Sequence, residues 1–394
     1  MTKIFIAHPR TQHSQQLALA LYENNYLEKF VSGVPVLDEN ESAPFWMPKY
    51  YAKRLKKISI PKKYRYHPLL IQCFWFLSRY VPAWLFGEKL NYYIFYFFDW
   101  YVSKIVCKLK PDVVIAFEDS AYLTFLAAKS IGAKCVLDAP SLHHVAGAKY
   151  LKVDKTDFLD KVNNRKDKEL ILADLILTCS PVAAEGYIDA GVSPENIKYI
   201  LLGATLPNKI NKWEIHLEPL RFLFAGVLSK RKSIDIILEV FKRLNSENLE
   251  YELTFIGGEG EIGWINKISS CPNAKYFPGV AQVELFDKLS HADCLLLPSR
   301  FDSFGMVVAE AMACGTPAIV STKTGAKAMI EKYPGSGWIV DCNVDSLYNC
   351  IKDLINNRNK LFAAREVALH AAKDFTWSAY RENVGKELKN WLRV

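Results

Sequence analysis

The segment ADCLLLPSRFDSFGMVVAEAMACGTPAIVST, residues 292–322, contains two apolar runs separated by a loop and a helical pattern. The first run, DCLLLPS, and the last, PAIVST, are short and apolar, as buried strands are. Between them lie the polar loop SRFDSF and a series of small apolar residues. This order predicts a parallel βαβ unit, and such units bind ligands beyond the carboxyl ends of their strands.

The same alternation of strand and helix patterns continues in both directions along the chain. Predicted strands occur in KIFIAH, PDVVIAF, AKCVLDAP, KELILADLILTCS and IKYILLG, and then in RFLFAGVLS, YELTFIGGEGE and KYFPGV. A polar, proline-bounded linker at about 206–220 separates the two groups. We therefore predict an α/β fold with two doubly wound, Rossmann-like domains, residues 1–207 and 208–375, followed by an amphipathic helix at 376–394.

Composition narrows the classes of function. The 394 residues carry a net charge of +8, which favours phosphate-bearing ligands or an anionic membrane. Nucleic acid is not expected as a partner, because no nucleic-acid-binding motif is present. Nine cysteines, an odd number without a CxxC pair, lie in apolar runs. Free thiols of this kind predict a reducing, cytoplasmic location.

The loop and helix at 299–313 carry the first candidate site. Ser303 is a predicted cap for a helix that begins near Gly305, and the free amides at its start would bind an anion. Glu310, one turn further on, is placed to accept hydrogen bonds from a ribose diol, and Asp302 stands where a donor sugar would lie. The alternative is that Glu310 is a solvated acid on a helix face. The predicted anion-binding amides are those of Gly305, Met306 and Val307.

Two further turns follow strands of the second half. FAGVLSKRKSID ends a strand at Gly226 and continues with Lys230, Arg231 and Lys232, which would neutralise a diphosphate. The alternative is a solvated basic loop. FIGGEGE contains Gly257, Gly258 and Gly260, which either cradle a nucleotide or only turn the chain.

The first half supplies a pair of histidines, His143 and His144, after the strand in AKCVLDAP. Either one is placed to reach the donor sugar or the acceptor; the alternative is a structural role. The histidines His8, His13, His143 and His144 lack the spacing of metal ligands, and no Asp-x-Asp motif is present. We therefore expect no metal and no cofactor.

Residues 47–106 combine a basic stretch, MPKYYAKRLKKISIPKKYRYH, with an aromatic one that follows it. The apolar runs are interrupted too often to reach the roughly 20 residues of a membrane span. Two interpretations stand. The segment docks on anionic lipid headgroups at the inner face of the plasma membrane, or it is a mobile loop that covers an acceptor cleft.

The motif LLLPSRFDSFGMVVAEAMACGTPAIVSTKTGAKAMI strongly resembles the donor-binding signature of family 4 glycosyltransferases of the GT-B fold. That signature has two glutamates separated by seven residues; here the first is Asp302 and the second is Glu310. FLFAGVLSKRKSIDIILEVF is similar to the family's basic strand–helix element, with Ser233 in place of its usual glycine. KELILADLILTCS and FTWSAYREN also resemble family segments.

The resemblance implies a metal-independent enzyme that transfers a sugar from a nucleoside diphosphate with retention of configuration. Arg231 and Lys232 would stabilise the leaving phosphate, whose oxygen then accepts the acceptor's proton. Asp302 would hold the donor sugar, Glu310 the ribose, and His143 or His144 would touch the sugar from the first domain. The remaining expected donor contacts are Gly226, Gly257, Gly258, Val280, Ser303, Phe304, Gly305, Met306 and Val307.

The resemblance also implies that the two domains bind different substrates. Residues 1–207 would bind the acceptor, residues 208–375 the donor, and the helix at 376–394 would return to the first domain. The expected reaction moves a hexose-type sugar to a glycan or lipid-linked acceptor in bacterial surface polysaccharide or lipopolysaccharide synthesis. The alternatives are a nucleotide-sugar epimerase of the same fold and a non-catalytic partner of a glycosyltransferase.

Overall fold

The structure of the protein is a computed structural model. It describes residues 2–44, 47–53, 55–78, 81, 83–150, 156–207 and 219–393. The segment 208–218 lies outside the described residues. It contains most of the predicted linker, and the expected domain boundary at 207/208 lies at its start.

The first group of elements surrounds a seven-stranded parallel sheet in the order β5-β2-β1-β6-β7-β8-β9, with a small separate pair, β3-β4. The strands are β1 Ile4–His8, β2 Leu27–Ser32, β3 Val36–Leu37, β4 Lys56–Lys57, β5 Arg65–Tyr66, β6 Val113–Phe117, β7 Lys134–Asp138, β8 Leu175–Thr178 and β9 Ile197–Tyr199. The helices are α1 Ser14–Glu23, α2 Lys49–Ala52, α3 Leu69–Ser78, α4 Ala83–Leu109, α5 Tyr122–Ser130, α6 His144–Tyr150, α7 Asp157–Leu172 and α8 Pro181–Ile188, with 3₁₀ turns at Lys62–Tyr64 and Pro194–Asn196.

The second group surrounds a six-stranded parallel sheet in the order β12-β11-β10-β13-β14-β15. Its strands are β10 Leu220–Ala225, β11 Tyr251–Ile256, β12 Ala274–Phe277, β13 Cys294–Leu297, β14 Ala318–Ser321 and β15 Gly337–Val340. Its helices are α9 Ile234–Ser246, α10 Trp264–Ser269, α11 Gln282–His291, α12 Met306–Ala313, α13 Lys327–Lys332, α14 Val344–Asn356 and α15 Asn359–Ala372, with a 3₁₀ turn at Lys230–Lys232. The prediction of two doubly wound α/β domains is confirmed.

Both sheets are doubly wound for the same physical reason. Their central strands are buried on both faces; β1, β6, β10 and β13 expose almost no side-chain surface. Such strands are apolar throughout and need helices on both sides. In each sheet the strand order reverses beside the first strand, β1 or β10, which places a crevice at its carboxyl end.

The last helix, α16 Trp377–Leu392, joins the two domains. It follows the second domain in sequence but packs against α1 of the first. Arg381 on this helix donates hydrogen bonds to Glu23 (3.0 Å) and Gln16 (2.9 Å). A second link is a hydrogen bond from the Ser180 hydroxyl to the carbonyl of Ser303. The two carboxyl-end crevices therefore share one cleft.

The aromatic part of residues 47–106 forms the α3–α4 helical pair, which packs edge to face through Phe74 and Phe97 at 5.3 Å. In the part of the chain that the structure describes, neither these helices nor any other combines the length and apolarity needed to cross a bilayer. All nine cysteines are described, and all are free thiols.

Candidate active site

A cleft of about 630 Å³ lies between the two domains. The second domain contributes the carboxyl ends of β10 and β11 and the start of α12, and the first contributes the start of α1 and the loops after β7 and β8. Of the predicted donor contacts, the cleft is lined by Gly226, Lys232, Gly257, Val280, Asp302, Ser303, Phe304, Gly305, Met306, Val307 and Glu310. The loop and helix that were predicted from residue spacing thus line a concave surface of the protein.

The start of α12 is arranged to bind an anion. Gly305 is the N-cap residue with φ +86°, a left-handed conformation that side chains other than glycine rarely adopt. Within the described residues, the amides of Gly305, Met306 and Val307 have no hydrogen-bond acceptor. Donors of this kind, together with the helix dipole, favour a phosphate.

The predicted capping role of Ser303 is wrong. The helix begins after Gly305, and no side chain caps it. The carbonyl of Ser303 instead accepts a hydrogen bond from Ser180 of the first domain. The glycine at the N-cap keeps the helix amides open to the cleft, where a capping hydroxyl would have occupied one of them.

Asp302 and Lys232 form an ion pair at the cleft wall. Their side chains are only 14% and 12% exposed, so solvent screens the pair weakly. In this state each predicted donor contact neutralises the other. A diphosphate bound at the start of α12 would offer Lys232 a second anionic partner and leave Asp302 free for sugar hydroxyls.

Arg231 lies beside the cleft and is not among its lining residues. Its guanidinium donates to the carbonyl of Phe301 at 3.1 Å, and its own carbonyl accepts from the amide of Arg300. The contacts brace the 3₁₀ turn at Lys230–Lys232 against the loop that holds Asp302.

Glu310 lines the cleft one turn into α12. Its carboxylate accepts a hydrogen bond from the Gln282 side chain at 3.1 Å. Burial raises the pKa of this carboxyl, and the Gln282 bond opposes the shift. A half-buried carboxylate with spare acceptor capacity is suited to a diol. The alternative of a fully solvated surface acid is therefore not what the structure shows.

The glycines after β10 and β11 allow the two loops to touch. A Cβ atom at Gly257 would overlap the carbonyl oxygen of Gly226, and Gly257 has φ +145°. Gly258, the next residue, has open space around it and does not line the cleft. Gly260 does not line the cleft either, and a Cβ there would lie 2.5 Å from the Val227 side chain. Of the three predicted cradle glycines, Gly257 and Gly260 therefore have a steric reason to be glycine, and Gly258 has none.

The predicted histidines lie elsewhere in the first domain. His143 and His144 are not among the residues that line the cleft; both face Asp167 of α7, at 3.4 and 2.7 Å from its carboxylate. Burial, with the neighbouring His144, lowers the pKa of His143. The three side chains form a potential metal-binding group that sequence spacing did not suggest. The Val145 amide donates to Nδ1 of His143 at 3.4 Å, so the Asp167 carboxylate faces the other ring nitrogen, Nε2.

A different histidine occupies the cleft. His13, at the start of α1, lines it and contacts Asp138, at the end of β7, at 3.1 Å. Sequence reasoning considered His13 only as a metal ligand. The available signal was its position in the loop after the first strand, at the carboxyl edge of the predicted sheet.

The second domain matches a known family of proteins. Residues 207–369 match the family model Glycosyl transferases group 1. This group 1 segment contains β10 to β15 and every donor contact that was predicted in the second domain.

Curated relatives match over a similar part of the chain. A Klebsiella pneumoniae protein described as an uncharacterized 41.2 kDa protein in the cps region is 30% identical over 174 residues, which is 41% of this chain and 48% of the relative. A D-inositol 3-phosphate glycosyltransferase 1 of Catenulispora acidiphila is 29% identical over 170 residues, 40% of each chain. The chain thus spans less than half the length of these relatives.

Solved structures resemble the whole chain. The Anabaena protein HepE, crystallised with UDP-glucose, has a TM-score of 0.63 at 16% identity and covers 99% of this chain and 100% of its own. The lipopolysaccharide outer core galactosyltransferase WaaB has a TM-score of 0.62 at 17% identity, covering 99% of each chain. WaaG, described as a glycosyltransferase of lipopolysaccharide biosynthesis, gives 0.61 at 14% identity, covering 97% and 98%. These likenesses establish the GT-B fold.

Proposed function

We propose that this protein transfers a sugar from a nucleoside diphosphate sugar to an acceptor hydroxyl. The observation that carries the proposal is the composition of one cleft. The free amides at the start of α12 lie between Asp302, paired with Lys232, and Glu310. An anion site between two hydroxyl-binding carboxylates suits a diphosphate that links a sugar to a ribose.

The donor would lie along α12 in the following way. Its diphosphate accepts hydrogen bonds from the helix amides and Lys232, its ribose donates to Glu310, and its sugar hydroxyls donate to Asp302. Gly226, Gly257 and Val280 line the part of the cleft in which the base would rest. HepE, which shares the fold and was crystallised with UDP-glucose, supports a donor of this class.

For the reaction itself we propose same-face substitution with retention, as the resemblance to family 4 implies. Departure of the nucleoside diphosphate is the costly event, and preorganised amides and cations stabilise the charge that develops on it. Arg231 contributes by holding the loop of Asp302, and Lys232 by direct contact. These groups neutralise the negative charge of the diphosphate without a resident metal ion. Activity is therefore expected to survive chelation by EDTA.

The acceptor we propose is a glycan or lipid-linked glycan of a bacterial surface polysaccharide or lipopolysaccharide, and the transferred sugar is of the hexose type. Two observations support this choice. A relative comes from a cps region, and two structural neighbours are named for lipopolysaccharide synthesis. The first domain, with its own carboxyl-end crevice, is the proposed acceptor side.

A lipid-linked acceptor requires access to a membrane, and the first domain has a surface suited to it. Four large apolar side chains on α3 are exposed: Leu69, Leu70, Phe74 and Leu77. Six exposed lysines precede them in the chain: Lys49, Lys53, Lys56, Lys57, Lys62 and Lys63. Apolar side chains beside cations complement an anionic bilayer surface. We infer peripheral attachment at the cytoplasmic face through residues 47–106.

Vesicle sedimentation tests the attachment. We expect binding to phosphatidylglycerol vesicles and little binding to phosphatidylcholine vesicles, because the lysines need anionic headgroups. The triple change Leu70→Ser, Phe74→Ser and Leu77→Ser should reduce binding at least tenfold, since each removes buried apolar contact with lipid. The control is Ile262→Ser with Val283→Ser, which removes apolar residues that are even more exposed from the second domain. Equal loss in both variants would contradict the assignment of the surface.

Transfer of label separates the proposed reaction from its two alternatives. Radiolabel from a nucleotide sugar should pass to the lipid fraction of a bacterial membrane extract and require the protein. An epimerase would convert the donor with no acceptor present, and product analysis of the donor alone detects this. A non-catalytic partner would transfer nothing and would show no dependence on Lys232 or Glu310. Either result would overturn the proposal.

A further inference from the structure

His13 and Asp138 form a buried pair in the first domain, at the cleft that His13 lines. His13 stands at the start of α1 and Asp138 at the end of β7. Nε2 of His13 lies 3.1 Å from the Asp138 carboxylate, and both side chains are 7% exposed. The contact joins two segments that are 125 residues apart in the chain.

The pair fixes which nitrogen of His13 is available. A carboxylate only accepts hydrogen bonds, so Nε2 carries the proton that it donates to Asp138. In the neutral ring Nδ1 then holds a lone pair. Across the described part of the chain Nδ1 has no hydrogen-bond partner, and His13 lines the cleft. A base held by a buried carboxylate with its free nitrogen at a cleft is the arrangement used to accept protons.

No other first-domain side chain in the described cleft lining is as well suited to accept a proton. The remaining first-domain residues that line the cleft are Gln12, Pro140, Cys179 and Leu202. Three of them cannot accept a proton at neutral pH, and burial raises the pKa of Cys179 far enough to keep its thiol protonated. His13 is therefore the one base that the described first-domain lining offers.

Groups on every side of His13 determine its titration. Asp138 faces it from β7, His8 from β1, Tyr380 from α16 at a ring distance of 6.2 Å, and Cys179 lies across the same cleft. Burial alone would lower the pKa of His13, but the Asp138 carboxylate outweighs it and the pKa is raised above 6.5. Burial lowers the pKa of His8 to about 3, so His8 stays neutral.

We propose that His13, oriented by Asp138, takes the proton from the acceptor hydroxyl during sugar transfer. The proposal rests on the proposed function and adds a catalytic residue to it. The acceptor oxygen forms a bond to the anomeric carbon, and the bond from that carbon to the phosphate oxygen breaks, its electron pair leaving with the nucleoside diphosphate. The hydroxyl proton passes to Nδ1 of His13. This relay through His13 replaces direct transfer of the proton from the acceptor to the leaving phosphate. The imidazolium next gives the proton to the phosphate oxygen, which in a same-face substitution lies on the same face of the sugar as the acceptor.

The test begins with a donor. UDP-glucose, UDP-galactose, UDP-N-acetylglucosamine and GDP-mannose are titrated calorimetrically, and the tightest binder is used with membrane extract as acceptor. His13→Ala should keep the affinity for that donor within about twofold, because His13 acts on the proton. Its kcat should fall by about 10²–10⁴-fold, the usual contribution of a general base. The wild-type rate should rise with pH through an apparent pKa above 6.5, because only the neutral imidazole accepts a proton, and His13→Ala should lose this rise.

Two further variants separate chemistry from folding. Added imidazole should restore part of the His13→Ala rate, which a structural role would not allow. Asp138→Asn should lower kcat while donor affinity is kept. The control is His291→Ala, an exposed histidine of α11 outside the cleft, which should behave as wild type. An unchanged rate or pH profile in His13→Ala, or loss of rate without imidazole rescue, would overturn the proposal.

The two proposals fail in different ways. If none of the four nucleotide sugars binds and no label is transferred, the donor site is wrong and both proposals fall. If a donor binds and its sugar is transferred by His13→Ala at the wild-type rate, the proposed function stands and the role of His13 is refuted.

Discussion

Lys232 is the cation in the cleft whose environment says most about ligand binding. It is paired with Asp302, and the pair is largely shielded from water. Lys230, two residues earlier, has an exposed side chain outside the cleft lining. The three consecutive cations of the KRK turn therefore have different positions. Lys232 lines the cleft, Arg231 braces the neighbouring loop, and Lys230 lies at the surface.

These different positions predict that the same substitution, lysine to methionine, affects UDP affinity differently at residues 232 and 230. Lys232→Met should weaken UDP binding about 10–100-fold, the loss expected for one hydrogen bond to a charged group. Lys230→Met should leave the affinity within about twofold. Isothermal titration at fixed salt measures both. Equal weakening by the two variants would mean that the turn acts only through its net charge.

Sequence reasoning singled out second-domain residues that line the cleft and missed the first-domain histidine that lines it. Asp302, Gly305 and Glu310 belong to one continuous βαβ unit, so their spacing in sequence determines their spacing in the fold. His13 and Asp138 meet only because β1 and β7 end at the same edge of a sheet. No local pattern encodes that meeting. The adjacent His143 and His144 form a more conspicuous pair in sequence, although their partner, Asp167, lies on α7.

At the scale of elements, the turns after β10 and β11 form a close contact between neighbouring loops. Gly257→Ala should destabilise the protein by at least about 2 kcal/mol, because its Cβ would overlap the carbonyl of Gly226 and its φ of +145° is strained for alanine. Gly258→Ala, one residue later, should be nearly neutral, since nothing lies within 4 Å of its Cβ. Urea unfolding of the pair checks this. Similar midpoints for both variants would refute the steric explanation.

The strands with strongly apolar sequences, such as β1, β6, β10 and β13, were predictable because burial on both faces leaves an uninterrupted apolar run. Five strands escaped prediction: the two-residue strands β3, β4 and β5, and the longer β2 and β15. β2 has the sequence LEKFVS, whose charges lie toward one end, and β15 begins with Gly337 and is only partly buried. Tertiary pairing with an already formed sheet, and not local pattern, makes these segments strands.

For the whole molecule, stability depends on pH through a histidine buried in the first domain. His8, at the end of β1, is fully enclosed, and burial lowers its pKa to about 3. The unfolded chain therefore binds this proton near pH 6.5 while the folded chain does not. Stability contributed by a neutral His8 is present above pH 6.5 and is lost as the pH falls from there toward 3.

His8→Asn tests this source of acid sensitivity. The asparagine carbonyl can replace Nδ1 as acceptor for the Arg10 amide. Between pH 6 and 4.5, the free energy of unfolding of wild type should fall more steeply than that of the variant, by about 1.4 kcal/mol per pH unit. His291→Asn, an exposed control, should retain the wild-type slope. A His8→Asn slope equal to wild type would show that His8 is hydrated or charged in the folded protein.

The central claim is that the cleft between the domains binds a nucleoside diphosphate sugar along α12. Isothermal titration of the full chain with UDP-glucose, UDP-galactose, UDP-N-acetylglucosamine and GDP-mannose tests it most directly. We predict one site per chain for at least one of these donors, with affinity reduced at least tenfold by Glu310→Ala, which removes the acceptor for the ribose diol. Absence of binding for all four donors, or binding that Glu310→Ala leaves unchanged, would contradict the claim.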